Sequence, residues 1–359
     1  MTATTRRQVR GALAATLAGL ALAVAGCSAP QEAPRKTPDP VTQGPTIAPD
    51  KAAAPVPVVP TVWPLTGVAG EPAARPSLAA KIENTAVARP QSGLEQADVV
   101  WETIVEFDVS RFIAVFHSQV PAEIGPIRSV RPMDPVIVAP MHGLFAFSGG
   151  QQGIVDLVAN SGVQMISHDR GAPGMYRTRD RAAPHNVYGT PETFWAQADG
   201  SHQAPPPEQF TFARSADQAT AVVAGTPAST LSFRLSPASS PTWTWDAASG
   251  TWQRSEGSTP ATARSGARLS AVNVVSITAD HPNSGFGAQG GAPVPTYSLI
   301  GSGDGVAATG GKTVPVRWQK ESQDAPMRLF TLDGAPADLA PGNTWVEMVP
   351  RPTGTLTIG

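Results

Sequence analysis

The 359-residue chain has a single cysteine, three tyrosines and, among its 26 basic residues, only five lysines. A lone cysteine excludes a disulfide within the chain. Charged residues make up 15% and nearly cancel, to a formal net charge of -2. There is thus no basic field of the kind that draws a protein onto nucleic acid, and no nucleic-acid partner is expected. After residue 26 no apolar run is long enough to cross a bilayer. Also missing are the nucleophile elbow GxSxG, the zinc motif HExxH and the phosphate loop GxxxxGK followed by Ser or Thr. None of the six histidines stands at ligand spacing from another, so neither a metal nor a cofactor is expected. Arginine takes the place of lysine, and with abundant Ala, Pro and Gly this matches the codon bias of a GC-rich bacterial genome, so part of the arginine count is habit rather than function.

What is present begins with MTATTRRQVRGALAATLAGLALAVAGCSAP. Arg6, Arg7 and Arg10 precede an uncharged stretch that is short for a bilayer span and suited to an export signal. The stretch closes on LAVAGC, small residues running into Cys27. This is the pattern of a bacterial lipoprotein signal, in which the cysteine is diacylated and becomes the first residue. Residues 1–26 are read as the signal peptide and Cys27 as the lipid attachment site, the alternative being a soluble secreted protein with an incidental cysteine. Each buried methylene contributes ~0.8 kcal/mol, and two acyl chains hold a protein stably at the membrane. TRRQV also fits a twin-arginine signal, so either export route is compatible. Residues 27–62 read as a tether, with ten prolines between Ser28 and Pro64 and too little apolar material to fold. In polyproline form, at ~3.1 Å per residue, it reaches about 100 Å and holds the folded part outside the plasma membrane, in the cell envelope.

The remainder reads as α+β, with a boundary in SHQAPPPEQ. Residues 63–205 mix strand-like runs (SLAAKIE, ADVVWETIVEF, RFIAVFH, GLFAFSG) with helix-like ones (MDPVIVAPMHG, QQGIVDLVANSG, PETFWAQA), the composition of a mixed α/β domain. Residues 206–359 hold short β segments between Gly, Pro, Asp and Ser turns, the signature of a mainly antiparallel β domain. There, Trp243 and Trp245 share a strand face, and Trp252 across the turn pairs with one of them. A packed sheet face is the preferred reading, and a platform for stacking sugars the alternative.

Residues that carry chemistry concentrate in the first half. Strict alternation in ADVVWETIVEF places Asp98, Val100, Glu102, Ile104 and Glu106 on one face, giving an acidic face and an oily one. A hairpin through DVS brings Arg111 near Glu106 and carries His117 to the far end. GPIRSVRPMD follows, its prolines forbidding a regular helix between Arg128 and Arg131. YRTRDRAAPHNVYG adds Arg177, His185 and Asn186 in another irregular stretch, and SGGQQG makes a glycine turn ahead of a helix. Guanidinium forks recognise carboxylates and phosphates, and loops on a rigid scaffold are where binding groups sit. The arrangement points to an anion-binding cleft with Glu102 on its floor; the alternative is that the arginines pair internally with Glu102, Glu106 or Asp134. Glu102 and Glu106, about 13 Å apart along a strand at ~3.3 Å per residue, are too far apart for a glycosidase pair. A lone Glu102 acting as general acid, with His117 or His185 as helper, would suit glycan cleavage.

WPLTG, ARPQSGLEQADVVWETIVE, SRFIAVFHSQ, IGPIRSVRP, FSGG and APHNVYG together resemble the amino-terminal domain of the YerB-like bacterial lipoproteins, a family of unknown function. WTWDAASGTWQR, LSAVNVVSI, RWQKES and LAPGNTWVEMVP resemble its carboxy-terminal domain. The resemblance implies a lipid-anchored, two-domain envelope protein and carries no enzymatic activity with it. Its motif residues fall here on Arg89, Glu102, Glu106, Arg111, Arg128, Arg131, His185 and Asn186. Where the family tends to have an acid after the Trp hairpin, this chain reads STPATARSG. The expected partners are the membrane through the lipid, a wall polymer or muropeptide, and an envelope protein.

Overall fold

The computed structural model describes residues 60–359; the signal peptide, Cys27 and most of the tether lie outside the described residues. The first half supplies β1 (Leu78–Glu83), β2 (Val99–Ile104), β3 (Ser110–Phe116), β4 (Leu144–Phe147) and β5 (Gln164–Ser167), then the short pair β6 (Met175–Arg177) and β7 (Val187–Gly189). Three helices punctuate it: α1 (Asp134–Val138), α2 (Gln152–Ala159) and α3 (Pro191–Trp195). Pro135 and Pro191 fall at the helix starts, where a missing N–H costs nothing. Ile154, Val155 and Val158 are the buried stripe of α2.

Every residue of β1, β2 and β3 is buried, which a strand achieves only when both its faces are covered. They form the middle of an 11-stranded sheet. β3 lies antiparallel between β1 and β2, and β4 and β5 extend the β1 side in parallel. On the β2 side the sheet continues into strands of the second half. Thr344–Arg351 runs parallel to β2, with Val99 opposite Thr344 and Glu102 opposite Glu347. Asn273–Asp280, Gly301–Thr309, Lys312–Lys320 and Arg328–Thr331 follow in that order. One sheet therefore crosses both halves.

Its two faces see different partners. One face, with Ala79, Val99, Trp101 and Ile113, packs beneath α1 and α2 on Ile137, Val138 and Ile154. The other, with Val100, Ile104, Phe112 and Trp345, packs on a six-stranded antiparallel sheet through Leu231, Phe233, Trp243 and Trp252. The architecture is a mixed α/β first half followed by an antiparallel-rich second half. Trp245 stands opposite Trp252 with ring centroids 5.4 Å apart, while Trp243 and Trp252 are fully buried. Trp243 and Trp252 are core, with no indole face free for a sugar, and Trp245 is partly buried against the same core. The expectation of one oily and one acidic face on β2 fails for the same reason: two layers cover it, so both faces are apolar apart from Glu102 and Thr103.

Candidate functional site

Polar residues collect where β1, β2 and β3 reach the end of the helix-covered core. Arg111, second in β3, stands opposite Glu83 of β1 and Thr103 of β2. With period two, Lys81, Glu83, Thr103 and Arg111 share the face of Ala79, Trp101 and Ile113. Lys81 is fully buried and donates to Asp134 Oδ1 at 2.7 Å and Thr103 Oγ1 at 3.2 Å. Burial pushes its ammonium down to about 8, against the pull of Asp134.

The arginine loop is pinned along both sides. The Glu83 N–H donates to the Pro126 carbonyl (2.9 Å), and the Arg128 N–H to the Lys81 carbonyl (2.8 Å). On the other side, the Ser148 N–H donates to Arg128 (3.0 Å) and the Val130 N–H to Gly149 (3.1 Å). Residues 126–130 thus form an irregular lane held by backbone hydrogen bonds that no helix could make. At its end the Arg131 N–H donates to Asp134 Oδ2 at 2.8 Å, which fixes the turn into α1.

Between β2 and β3 the chain makes a short turn. The Val105 N–H donates to the Val109 carbonyl at 2.9 Å, and two successive residues, Phe107 (φ 62°) and Asp108 (φ 60°), take the left-handed conformation. This breaks the alternation after Ile104. Glu106 turns to the helix-covered side, away from the face of Glu102, and Phe107 projects outward, 65% exposed.

These segments enclose a cavity of about 820 Å³, lined chiefly by Glu83, Glu106, Phe107, Arg111, Arg128, Arg131 and His185, with Ser129, Gly150 and Gln151 and, from the second half, Gly287 and Ala288. Arg131 forks onto Glu106, Nε to Oε2 at 2.5 Å and Nη2 to Oε1. Arg128 Nε lies 3.3 Å from Glu83 Oε2, and His185 Nδ1 lies 2.8 Å from Glu83 Oε1. Arg111 is different. Its Nη1 donates to the Ser129 carbonyl (2.7 Å) and Oγ (2.9 Å), which also accept from Arg131. Among the described residues no carboxylate comes within ion-pair distance of it. Burial, with Arg128 nearby, pushes its guanidinium down to about 10, and burial does the same to Arg131. Lys81, Arg111, Arg128 and Arg131 face three carboxylates, Glu83, Glu106 and Asp134, so one positive charge is left over.

The remaining candidates lie elsewhere. Arg177 is exposed and donates to Asn186 Oδ1 at 2.8 Å, and Asn186 donates to the Thr178 carbonyl at 3.0 Å, which braces the β6–β7 pair. Arg89 donates to the Asn84 carbonyl and lies 3.8 Å from Glu256. His117 is buried at the far end of β3, edge-on to Trp63. Glu102 is not on the cavity floor. It points to the opposite sheet face, fully buried, with Oε2 2.7 Å from Arg254 Nη2.

Arg254 is the residue that sequence reading missed most completely. It lies between the two sheets and bonds Glu102, Glu256 (2.9 Å) and Glu347 (2.7 Å). Those acids hold its guanidinium charged despite full burial. Glu83 and Lys81 were also missed, although charges two apart in the otherwise apolar run LAAKIE were a usable signal. Among the described residues no cluster of His, Cys, Asp and Glu is arranged to hold a metal, and no helix is long and apolar enough to cross a membrane.

A two-sheet protein with a mixed α/β first half, a β-rich second half and an arginine-lined cavity is the class defined so far. The chain belongs to the YerB-like two-domain family: the N-terminal domain described as "Protein of unknown function (DUF3048)" matches residues 65–204, and its C-terminal domain matches residues 231–346. "Putative lipoprotein YerB" of Bacillus subtilis (strain 168) is 34% identical over 128 residues, 35% of this chain and 39% of that protein. The matched stretch thus spans well under half of that relative. The crystal structure of the YerB protein from Bacillus subtilis superposes with a TM-score of 0.70 over 83% of this chain and 99% of that one. At 22% identity the likeness is one of fold.

Proposed function

We propose that the protein is a lipid-anchored component of the bacterial cell envelope that binds an anionic ligand in the arginine cavity. The lipoprotein name of the relative and the LAVAGC–Cys27 pattern support the anchor. The observation that carries the binding reading is Arg111, a buried guanidinium beside a large cavity with no carboxylate of its own. Asp134 and Glu83 offset its charge only from beyond ion-pair distance, and an incoming phosphate or carboxylate would supply a direct partner. Muropeptides, wall polymers and phosphate esters are candidate ligands, and an envelope protein is a candidate partner.

Glycan cleavage by Glu102 is disfavoured by its full burial against Arg254. In the cavity itself, both oxygens of Glu106 accept from Arg131, the arrangement of an ionised carboxylate with no proton to donate.

Isothermal calorimetry of the full chain in detergent, with muropeptides, isolated wall polymers and inorganic phosphate at low and high salt, tests the reading. Arg111→Leu should weaken binding by about 30-fold or more, equivalent to at least ~2 kcal/mol for a desolvated charge pair. Affinity unchanged by Arg111→Leu would mean that the arginines serve the fold alone.

A further inference from the structure

Phe107 has no structural task that accounts for it. It belongs to neither hydrophobic core, it is largely exposed, and its backbone is left-handed, where glycine or asparagine is the ordinary choice. Nevertheless it lines the same cavity as Arg111 and Arg131. The turn that carries it is firmly held. The Ser236 hydroxyl donates to the Asp108 carbonyl at 2.5 Å, and the Ile104 N–H donates to the Tyr297 hydroxyl at 3.2 Å. The backbone that carries this aromatic ring beside the buried cations is thus held in place.

The size of the cavity says more. At about 820 Å³ it lies in the range of sites for organic molecules and far exceeds what an inorganic anion fills. The rest of its lining is mixed, with the hydroxyls of Thr85 and Ser129 and the amide of Gln151 beside the apolar Val109, Pro184 and Ala288. A ligand with both polar groups and an apolar face matches such a lining. We infer that the ligand is an anionic saccharide, with its phosphate or carboxylate on Arg111 and one face of its sugar ring on Phe107. A pyranose presents C–H groups on that face, and covering the aromatic ring removes apolar area from water while the hydroxyls stay hydrogen-bonded. The inference rests on reading the cavity as an anion site and adds the class of molecule to which the anion belongs.

Calorimetry of the full chain in detergent with four probes separates the two claims: glucose 6-phosphate, glucuronate, glycerol 3-phosphate and neutral glucose. Glucose 6-phosphate or glucuronate should bind about tenfold or more tighter than glycerol 3-phosphate, the margin of one aromatic anchor, and glucose should not bind detectably. Phe107→Gly, a change that suits the local backbone, should bring the sugar anion down to the level of glycerol 3-phosphate and leave glycerol 3-phosphate itself unchanged. Phe107→Trp should keep the preference. Equal binding of sugar and glycerol anions, abolished together by Arg111→Leu, would overturn the saccharide while leaving the anion site standing. A sugar preference that survives Phe107→Gly would overturn the role of Phe107. No binding of any anion by a folded protein would overturn both claims.

Discussion

Arg254 and Arg111 are both buried, and the fold treats them in opposite ways. Arg254 lies between the sheets within 2.7, 2.9 and 2.7 Å of Glu102, Glu256 and Glu347. The rings of Trp345, Phe112 and Trp243 surround it at 5.0, 5.3 and 5.5 Å. Every direction is occupied, by carboxylate or by π-face. Arg111 has the hydroxyl and carbonyl of Ser129 on one nitrogen and open cavity beyond. A buried guanidinium matched by its own chain is part of the scaffold, whereas one without an ion pair beside a cavity is the group on which the proposed anion site rests.

The sharpest way to break this comparison is to delete both charges. Arg254→Met strands Glu102, Glu256 and Glu347 without their cation and should cost about 3–5 kcal/mol, the usual penalty for breaking a buried pair. Arg111→Met strands no carboxylate and removes a buried charge that has no ion pair, so it should leave stability unchanged or raise it. Chemical denaturation of both variants without ligand checks this. Equal losses would mean that Arg111 is as structural as Arg254.

A smaller effect lies in the protons of the Arg254 cluster. Glu347 is fully buried; burial first, and then the neighbouring Glu102, raise its carboxyl well above the ordinary range. With its folded pKa above its unfolded one, the native state holds the extra proton. That contribution is complete below the unfolded carboxylate pKa and is lost as pH rises through the folded value. Stability from this group should therefore fall on going from about pH 4 toward neutrality and above, and Glu347→Gln, which cannot ionise, should flatten that slope. Denaturation midpoints across the pH range provide the measurement. A slope unchanged by Glu347→Gln would assign the proton elsewhere.

Part of this was legible in the chain. Alternation and punctuation gave the strands and the two halves, and prolines around Arg128 and Arg131 marked a pinned, non-helical loop. Period-two reading then carried Glu102 and Glu106 onto one face, because no residue in VVWETIVEF announces that the strand ends at Ile104 and a tight turn begins. The role of Glu102 was hidden for another reason. Its partner Arg254 comes from the second half and meets it across two sheets, so no local pattern records the contact. Arg111 was placed near Glu106, but its lack of a carboxylate is a fact about three-dimensional neighbours. Sequence could mark the cations in the first half and could not say which were already satisfied.

The smallest expected effect concerns the turn that divides the two environments. Phe107 has φ 62° and ψ 26°, with its side chain mostly in solvent. A non-glycine residue there costs of order 1–3 kcal/mol, though glycine gives some of this back through its greater freedom in the unfolded chain. Burial of Phe107 contributes little to offset the strain. Phe107→Gly should therefore leave stability unchanged or raise it by up to about 1 kcal/mol, read as the denaturation midpoint without ligand. For an ordinary core phenylalanine the same truncation would cost about 3–5 kcal/mol. A loss of that size would show that Phe107 is packed in solution and belongs with the scaffold of Arg254. An unchanged or higher midpoint would place it with Arg111, among the residues this fold holds in position for something outside the chain.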